Sequence, residues 1–147
     1  MTISDFLAPA DVIFDARAAN KQQLLQELSK KAASNLGLQA EYIASELLKR
    51  EDLGSTGMGR GVAIPHARLP MVKKPYGVMA RLKPAIDFEA IDGQLVDLVF
   101  LLLLPAPPEA DQLVALASVA RKFKTDELLK QLRRVRNEFE LYSAMIE

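Results

Sequence analysis

From Val96 to Leu104 the sequence reads VDLVFLLLL, an apolar run interrupted only by Asp97 and closed by Pro105. The run is far shorter than the roughly 20 residues a membrane-spanning helix needs, and too uniformly apolar for a strand with one face in water. It predicts a central strand covered on both sides, so other elements must supply two apolar covers. The flanking sequence contains them. Asn20 opens a helical pattern with Leu24, Leu28, Ala32 and Leu36 on one face and Gly37 as its stop. A second helix turns Ile43, Ala44, Leu47 and Leu48 inward and ends around Arg50 to Leu53. Beyond the run, Leu113, Leu116, Ala117, Ala120 and Phe123 form one helical stripe. Leu128, Leu129 and Leu132 form another, starting near Thr125, and Asn137 with Glu140 makes a capping-box start for a last helix.

Extended segments fill the middle. Val12 to Phe14 is a short first strand. Tyr76, Val78, Ala80 and Leu82 alternate with Gly77, Met79, Arg81 and Lys83 as a half-buried strand that Pro84 closes, Ile86 and Phe88 continue briefly extended, and Asp92-Gly93 makes a turn. The order of elements predicts an α/β fold, a sheet covered by helices on both faces. A chain of 147 residues fits one domain, 1–147, and the Pro-rich PAPPEA from Pro105 to Ala110 is too short to be a linker.

Composition removes several functions. Nineteen basic and nineteen acidic residues leave no global field for nucleic acid or an anionic membrane. Seven basic side chains against two acidic ones between Arg121 and Arg136 read as a solvated helix face, with no interleaved aromatic platform for nucleic acid. The absence of cysteine excludes disulfides, thiolate catalysis and sulfur-ligated metals, and fits a reducing compartment. The start, MTISDFLAPAD, has neither a basic n-region nor a long apolar h-region, so a cytoplasmic protein without membrane insertion is expected.

His66 is the single histidine, and it ends the most constrained stretch of the chain, GSTGMGRGVAIPH from Gly54. One histidine without cysteine makes a zinc site implausible, so no metal and no cofactor is expected. Ser55 and His66 lack a nucleophile elbow, which argues against a hydrolase. The Gly54–Gly61 segment approaches a Walker A loop but has Arg60 and Gly61 where the phosphate-binding lysine and the Mg²⁺-holding hydroxyl belong.

Phosphoryl transfer onto the imidazole remains. A neutral histidine attacks a phosphorylated donor when one ring nitrogen is free and the other is held as N–H. The transferring group then needs donors: hydroxyls from Ser55 and Thr56, loop N–H groups freed by glycine, and guanidinium forks from Arg50, Arg60 and Arg68. Pro65 fixes its own φ and pushes Ile64 toward extended geometry, aiming His66 from a strand end. The same residues also allow a histidine that merely satisfies a carbonyl, glycines that only mark turns, and an Arg50 that only caps a helix. Met58, at the tip of the loop, is either a docking contact or a buried gap-filler.

Two segments, REDLGSTGMGRGVAIPHARL from Arg50 to Leu69 and FEAIDGQLVDLVFLLLLP from Phe88 to Pro105, resemble the enzyme IIA domains of the bacterial phosphotransferase system. The resemblance is to the fructose/mannitol class, in particular its nitrogen-regulatory branch, and covers nearly the whole chain. It implies an α/β sandwich with a mixed central sheet between helices on both faces. It further implies a phosphoacceptor at His66, a phosphate-site arginine at Arg50, and Ser55 and Thr56 lining the same pocket. The partners implied are an HPr-like phosphocarrier protein and regulatory target proteins or a IIB domain. With no permease domain in the sequence, regulation by phosphorylation state is favoured over dedicated sugar uptake, with a IIA component feeding a sugar IIB domain and a non-transferring binding module as the rivals. In one place the sequence departs from the family: its H-L-H element reads Gln112, Leu113 and Val114 here, so the imidazole beside the acceptor is replaced by Val114.

Overall fold

The apolar run becomes the centre of a six-stranded mixed sheet. The computed structural model describes residues 1–106 and 110–147, with side chains of the third helix described from Leu113 onward. After short 3-10 turns at Ile3–Asp5 and Pro9–Asp11, the elements are β1 (Val12–Ala16), α1 (Lys21–Leu36), α2 (Ala40–Asp52), β2 (Gly57–Gly59), β3 (Val62–Ala63) and β4 (His66–Leu69). They continue with β5 (Tyr76–Ile86), β6 (Val96–Pro105), α3 (Ala110–Phe123), α4 (Asp126–Arg134) and α5 (Glu138–Ile146). The strand order is β1-β5-β6-β3-β2, with β4 also on β6. β5 runs antiparallel to β6 and β2 antiparallel to β3, while β1 with β5, and both β3 and β4 with β6, are parallel.

Both faces of β6 are dry, as the run requires. Val99, Leu101 and Leu103 join Val78, Ala80 and Leu82 in a core with Leu24, Leu25 and Leu28 of α1 and Ile43 and Leu47 of α2. Leu98, Phe100, Leu102 and Leu104 join Met79 in a second core with Ala115, Val119 and Phe123 of α3, Leu129 and Leu132 of α4, and Leu141, Ala144 and Met145 of α5. Each fully buried leucine contributes roughly 1.5 to 3 kcal/mol relative to exposure, so the two-sided cover is what holds β6 at the centre of the sheet.

Local chemistry sets the helix ends. Asn20 accepts the Gln23 N–H at 2.8 Å to start α1, and Gly37, at φ 69°, ends it in the left-handed conformation glycine favours. Asn137 accepts the Glu140 N–H at 2.8 Å, while the Glu140 carboxylate accepts from Arg136 N at 2.9 Å, one residue ahead of the reciprocal bond a capping box makes.

Three expectations are revised. β5 does not alternate: Gly77 to Ala80 are all buried, because the strand lies between β1 and β6 with helices on both sides. Pro84 does not end it either, since pairing with β6 is interrupted between Arg81 and Ile86, where no N–H is demanded of a proline. In α3 the buried line is Ala115, Val119 and Phe123, and Leu113 is 67% exposed. The helix is rotated so that Leu113 comes to the end of the sheet. Of the Pro-rich segment, residues 107–109 lie outside the described residues, as does the Gln112 side chain.

The basic stretch is largely an outer face, with Arg121, Lys124, Lys130, Arg134 and Arg136 exposed. Arg133 is tied down by Asp97 at 2.9 Å and by the Arg60 carbonyl at 2.6 Å. Among the described residues no helix is long and apolar enough to cross a membrane.

Gly77 marks the tightest packing in the sheet. A Cβ there would lie 2.5 Å from the Phe100 ring, which is itself held edge-on by Phe6 with ring centroids 6.0 Å apart. Gly77→Ala should therefore cost about 1 to 3 kcal/mol through overpacking. Urea unfolding would measure it, and Phe100→Leu in the same chain should recover part of the loss.

Candidate functional site

β3 and β4 are one strand line broken for two residues. Val62 and Ala63 pair with Leu98 and Val99, and His66 to Leu69 pair with Leu102 to Pro105 farther along the same edge of β6. At the break, Pro65 has no N–H to offer, but its carbonyl accepts from Leu102 N at 2.9 Å, and Ile64 N turns instead to the Thr56 carbonyl at 3.1 Å. Ala67 and Leu69 point into the core under α1 and α2, which sends His66 and Arg68 to the other face of the strand.

There His66 sits in a cleft of about 350 Å³ lined by Glu46, Lys49, Arg50 and Leu53 from α2 and the turn after it, Arg68, Leu104, and Leu113 and Leu116 of α3. Its Nδ1 lies 2.8 Å from the Ile64 carbonyl. A carbonyl oxygen only accepts, so Nδ1 carries the proton and the other ring nitrogen, Nε2, keeps its lone pair. Nε2 has no hydrogen-bond partner among the described residues. Burial pushes the imidazole below its ordinary pKa; the Ile64 hydrogen bond and the Glu51 charge work against this, and the Arg50 and Arg68 charges work with it. The result is a neutral, nucleophilic imidazole at neutral pH in a cationic cleft.

Arg50 lies in the last turn of α2, and its Nη1 donates to the Gly54 carbonyl at 2.8 Å, which fixes the guanidinium at the mouth of the cleft. Arg68 stands on the same strand as His66 and has no ion pair among the described residues. The other sequence candidates are elsewhere. Arg60 is tied to Asp126 at 2.8 Å and to the Lys124 carbonyl at 3.1 Å, away from His66. The Ser55 hydroxyl donates to the Phe88 carbonyl at 3.1 Å and accepts from Gly57 N at 3.0 Å, while the Thr56 hydroxyl donates to the Glu51 carboxylate. Neither residue is among those lining the cleft.

The glycines build a hairpin rather than an anion nest beside His66. Arg60 N is held by Asp92 at 3.0 Å, and Gly61, at φ +80°, takes a backbone conformation that favours glycine, with Arg133 Nη2 2.6 Å from where a Cβ would lie. Met58 is half-buried and packs against the core on the α3 side, so it acts as a gap-filler. Val114 is 43% exposed beside the 67% exposed Leu113. Lys49, Glu46 and the leucine wall were not singled out from sequence. Glu46 precedes Arg50 by four residues, a helical spacing, and was readable from it, whereas the approach of Leu104, Leu113 and Leu116 depends on how α3 is rotated.

The family described as the phosphoenolpyruvate-dependent sugar phosphotransferase system, EIIA 2, matches residues 5–147, and the chain belongs to it. Within that family it falls with the nitrogen-regulatory proteins. It is 46% identical to a nitrogen regulatory protein of Bradyrhizobium diazoefficiens over 145 residues, covering 99% of this chain and 95% of that one. The crystal structure of nitrogen regulatory protein IIA-Ntr from Neisseria meningitidis superposes with a TM-score of 0.92 at 31% identity, covering 97% of this chain and 98% of the other. The mannitol IIA of Escherichia coli, solved in complex with phosphorylated IIB, shares the fold at a TM-score of 0.78 and 15% identity, covering 94% of this chain and 95% of that one.

The lowered histidine pKa has a definite sign. A histidine stays neutral above its folded value and is disabled as a nucleophile only below it, whereas an unperturbed histidine begins to protonate near pH 6.5. Between those two values the unfolded chain binds the extra proton, so folding stability falls as the pH falls through that window and is unaffected above it. An NMR titration of the single imidazole should give a midpoint below about 6.5. Replacing His66 by Gln should remove its share of the acid-side loss of stability.

Proposed function

We propose that this protein is a cytoplasmic phosphocarrier that accepts a phosphoryl group on His66 Nε2 from an HPr-like phosphohistidine protein and regulates other proteins through its phosphorylation state. The observation that carries the reading is the Nδ1 contact to Ile64, 2.8 Å, which leaves Nε2 as the free nitrogen of a neutral ring. In the transfer, the Nε2 lone pair forms the new N–P bond while the donor's N–P bond breaks and its electron pair returns to the donor imidazole. The step balances without a net proton when the donor ring carries an N–H on its other nitrogen and leaves as neutral imidazole, while His66 keeps its proton on Nδ1, hydrogen-bonded to the Ile64 carbonyl, and becomes the phosphoimidazolium.

Little covalent chemistry is then asked of the protein, and what it supplies is position and charge. Arg50 offers a fork of donors to the equatorial oxygens, with Arg68 and Lys49 adding positive potential. Ser55 and Thr56 serve the phosphoryl site through the loop, since their hydroxyls hold Phe88, Gly57 and Glu51. The exposed Leu53 and Leu113 flank the cleft as an apolar rim for a docking carrier, and the family supports a carrier as the donor. Phosphorylation adds roughly two negative charges to a cationic cleft, which changes its fit to any partner surface.

Onward transfer to a IIB domain is the second reading, favoured by the shared fold of a mannitol IIA solved with phosphorylated IIB. Val114, where the resemblance puts an imidazole, donates no hydrogen bond and is not among the residues lining the His66 cleft.

Incubation with a labelled phospho-carrier tests the proposal. Wild type should take up acid-labile label, and His66→Ala none; label in His66→Ala at the wild-type level would place the acceptor elsewhere. Arg50→Ala should accept on the order of 10² to 10³ more slowly, the cost of removing one donor to a transition-state oxyanion. If the missing imidazole limits discharge, Val114→His should speed transfer to a IIB domain without changing acceptance.

A further inference from the structure

Beneath the loop that precedes the histidine lies a buried ionic group outside the cleft. The Glu51 carboxylate is 6% exposed, and it accepts from Thr56 N at 3.0 Å and from the Thr56 hydroxyl. Its countercharge is Lys21 from the first turn of α1, 2.7 Å away and 13% exposed at the side chain, whose ammonium also stands 4.8 Å over the Phe88 ring. Buried charges are rare unless paired, and removing one partner of such a pair is costly. The energy invested here holds a single loop residue, Thr56.

That residue is where the path to the histidine begins. The Thr56 carbonyl accepts from Ile64 N at 3.1 Å, and the Ile64 carbonyl accepts from His66 Nδ1 at 2.8 Å. An unbroken sequence of hydrogen bonds therefore runs from Lys21 through Glu51, Thr56 and Ile64 to the imidazole. A branch leads to the arginine: the turn held at Thr56 also presents the Gly54 carbonyl to Arg50 Nη1 at 2.8 Å. We infer that Glu51, held by Lys21, is a positioning residue that sets the tautomer of His66 and the aim of Arg50 by fixing Thr56. The inference rests on the phosphoacceptor reading for its role in transfer, but its geometry does not.

The mechanism is one of orientation. At the break in the β3–β4 line the Pro65 carbonyl stays on β6 through Leu102 N, whereas Ile64 N is held by the Thr56 carbonyl instead, and that contact steadies the Ile64 carbonyl. Were the turn to relax, the Ile64 carbonyl would be free to swing away from Nδ1, and the imidazole would revert to the mixture of tautomers of a free ring. A fraction of the molecules would then carry the proton on Nε2, with no lone pair to attack. Because displacements of about 1 Å near a reacting centre cost on the order of 10²-fold, small changes in the turn should be visible in the transfer rate.

Two readouts separate this role from mere stability. Because the chain has one histidine, a long-range ¹H–¹⁵N spectrum reports its tautomer without assignment. Wild type should show Nδ1–H with Nε2 unprotonated. Glu51→Gln keeps the shape but removes the charge, and Thr56→Val keeps the shape but removes the hydroxyl. Both should show a mixed tautomer and accept phosphoryl about 10- to 100-fold more slowly, with the KM for the donor within about twofold of wild type. Thr56→Ser should restore most of both signals. Leu28→Ala, a core change remote from the chain of bonds, should lower stability without altering the tautomer. A wild-type tautomer and rate in folded Glu51→Gln would overturn the inference, as would the same shifts in Leu28→Ala. Failure of wild type to take up label would overturn the phosphoacceptor reading alone, since the tautomer result stands without any donor.

Discussion

The parallel pairing of the Val62–Leu69 line with β6 is the constraint on which everything at the site depends. β6 is immobile because both of its faces are buried, and a strand line laid along it inherits that fixity. Pro65 then interrupts the line where it is most firmly held on either side. At the break the Pro65 carbonyl still accepts from Leu102 N of β6, while the Ile64 carbonyl before it is left to hold Nδ1. A regular strand would have committed the Ile64 carbonyl elsewhere and left the imidazole without its proton anchor.

Much of this was legible in the sequence, for identifiable reasons. The apolar run called for a strand covered twice, and Asn20, Gly37 and Asn137 act within one helical turn and so declare helix ends locally. His66 stood out because few other residues could do its chemistry. What was hidden depends on distance in the sequence. Alternation in β5 fails because the strand is covered on both sides, a property of its neighbours. The rotation of α3 that exposes Leu113 reflects competition for the same sheet face from α4 and α5. Ser55 and Thr56 read as ligands because hydroxyls after a glycine resemble them; that they bond to Phe88 and Glu51 follows only from how the loop folds back.

Electrostatically the site keeps opposite requirements apart. A phosphoryl group needs positive charge nearby, while a nucleophilic histidine must not be positive itself. Arg50 and Arg68 serve both ends, since a cation that attracts phosphate also disfavours the imidazolium. The negative charge of Glu51 is buried and paired with Lys21, and what reaches the imidazole partly offsets the two arginines without reversing their effect.

The leucine wall has a consequence for time. A phosphohistidine is lost to water whenever a solvent molecule lines up with the N–P bond, and Leu104, Leu113 and Leu116 give the cleft around His66 an apolar side. On the phosphoacceptor reading proposed above, these side chains would act as a clock, lengthening the interval over which a mark on His66 survives between one encounter and the next. The persistence of such a mark would then be governed less by the residues that hold the phosphoryl group than by the ones that keep the solvent out.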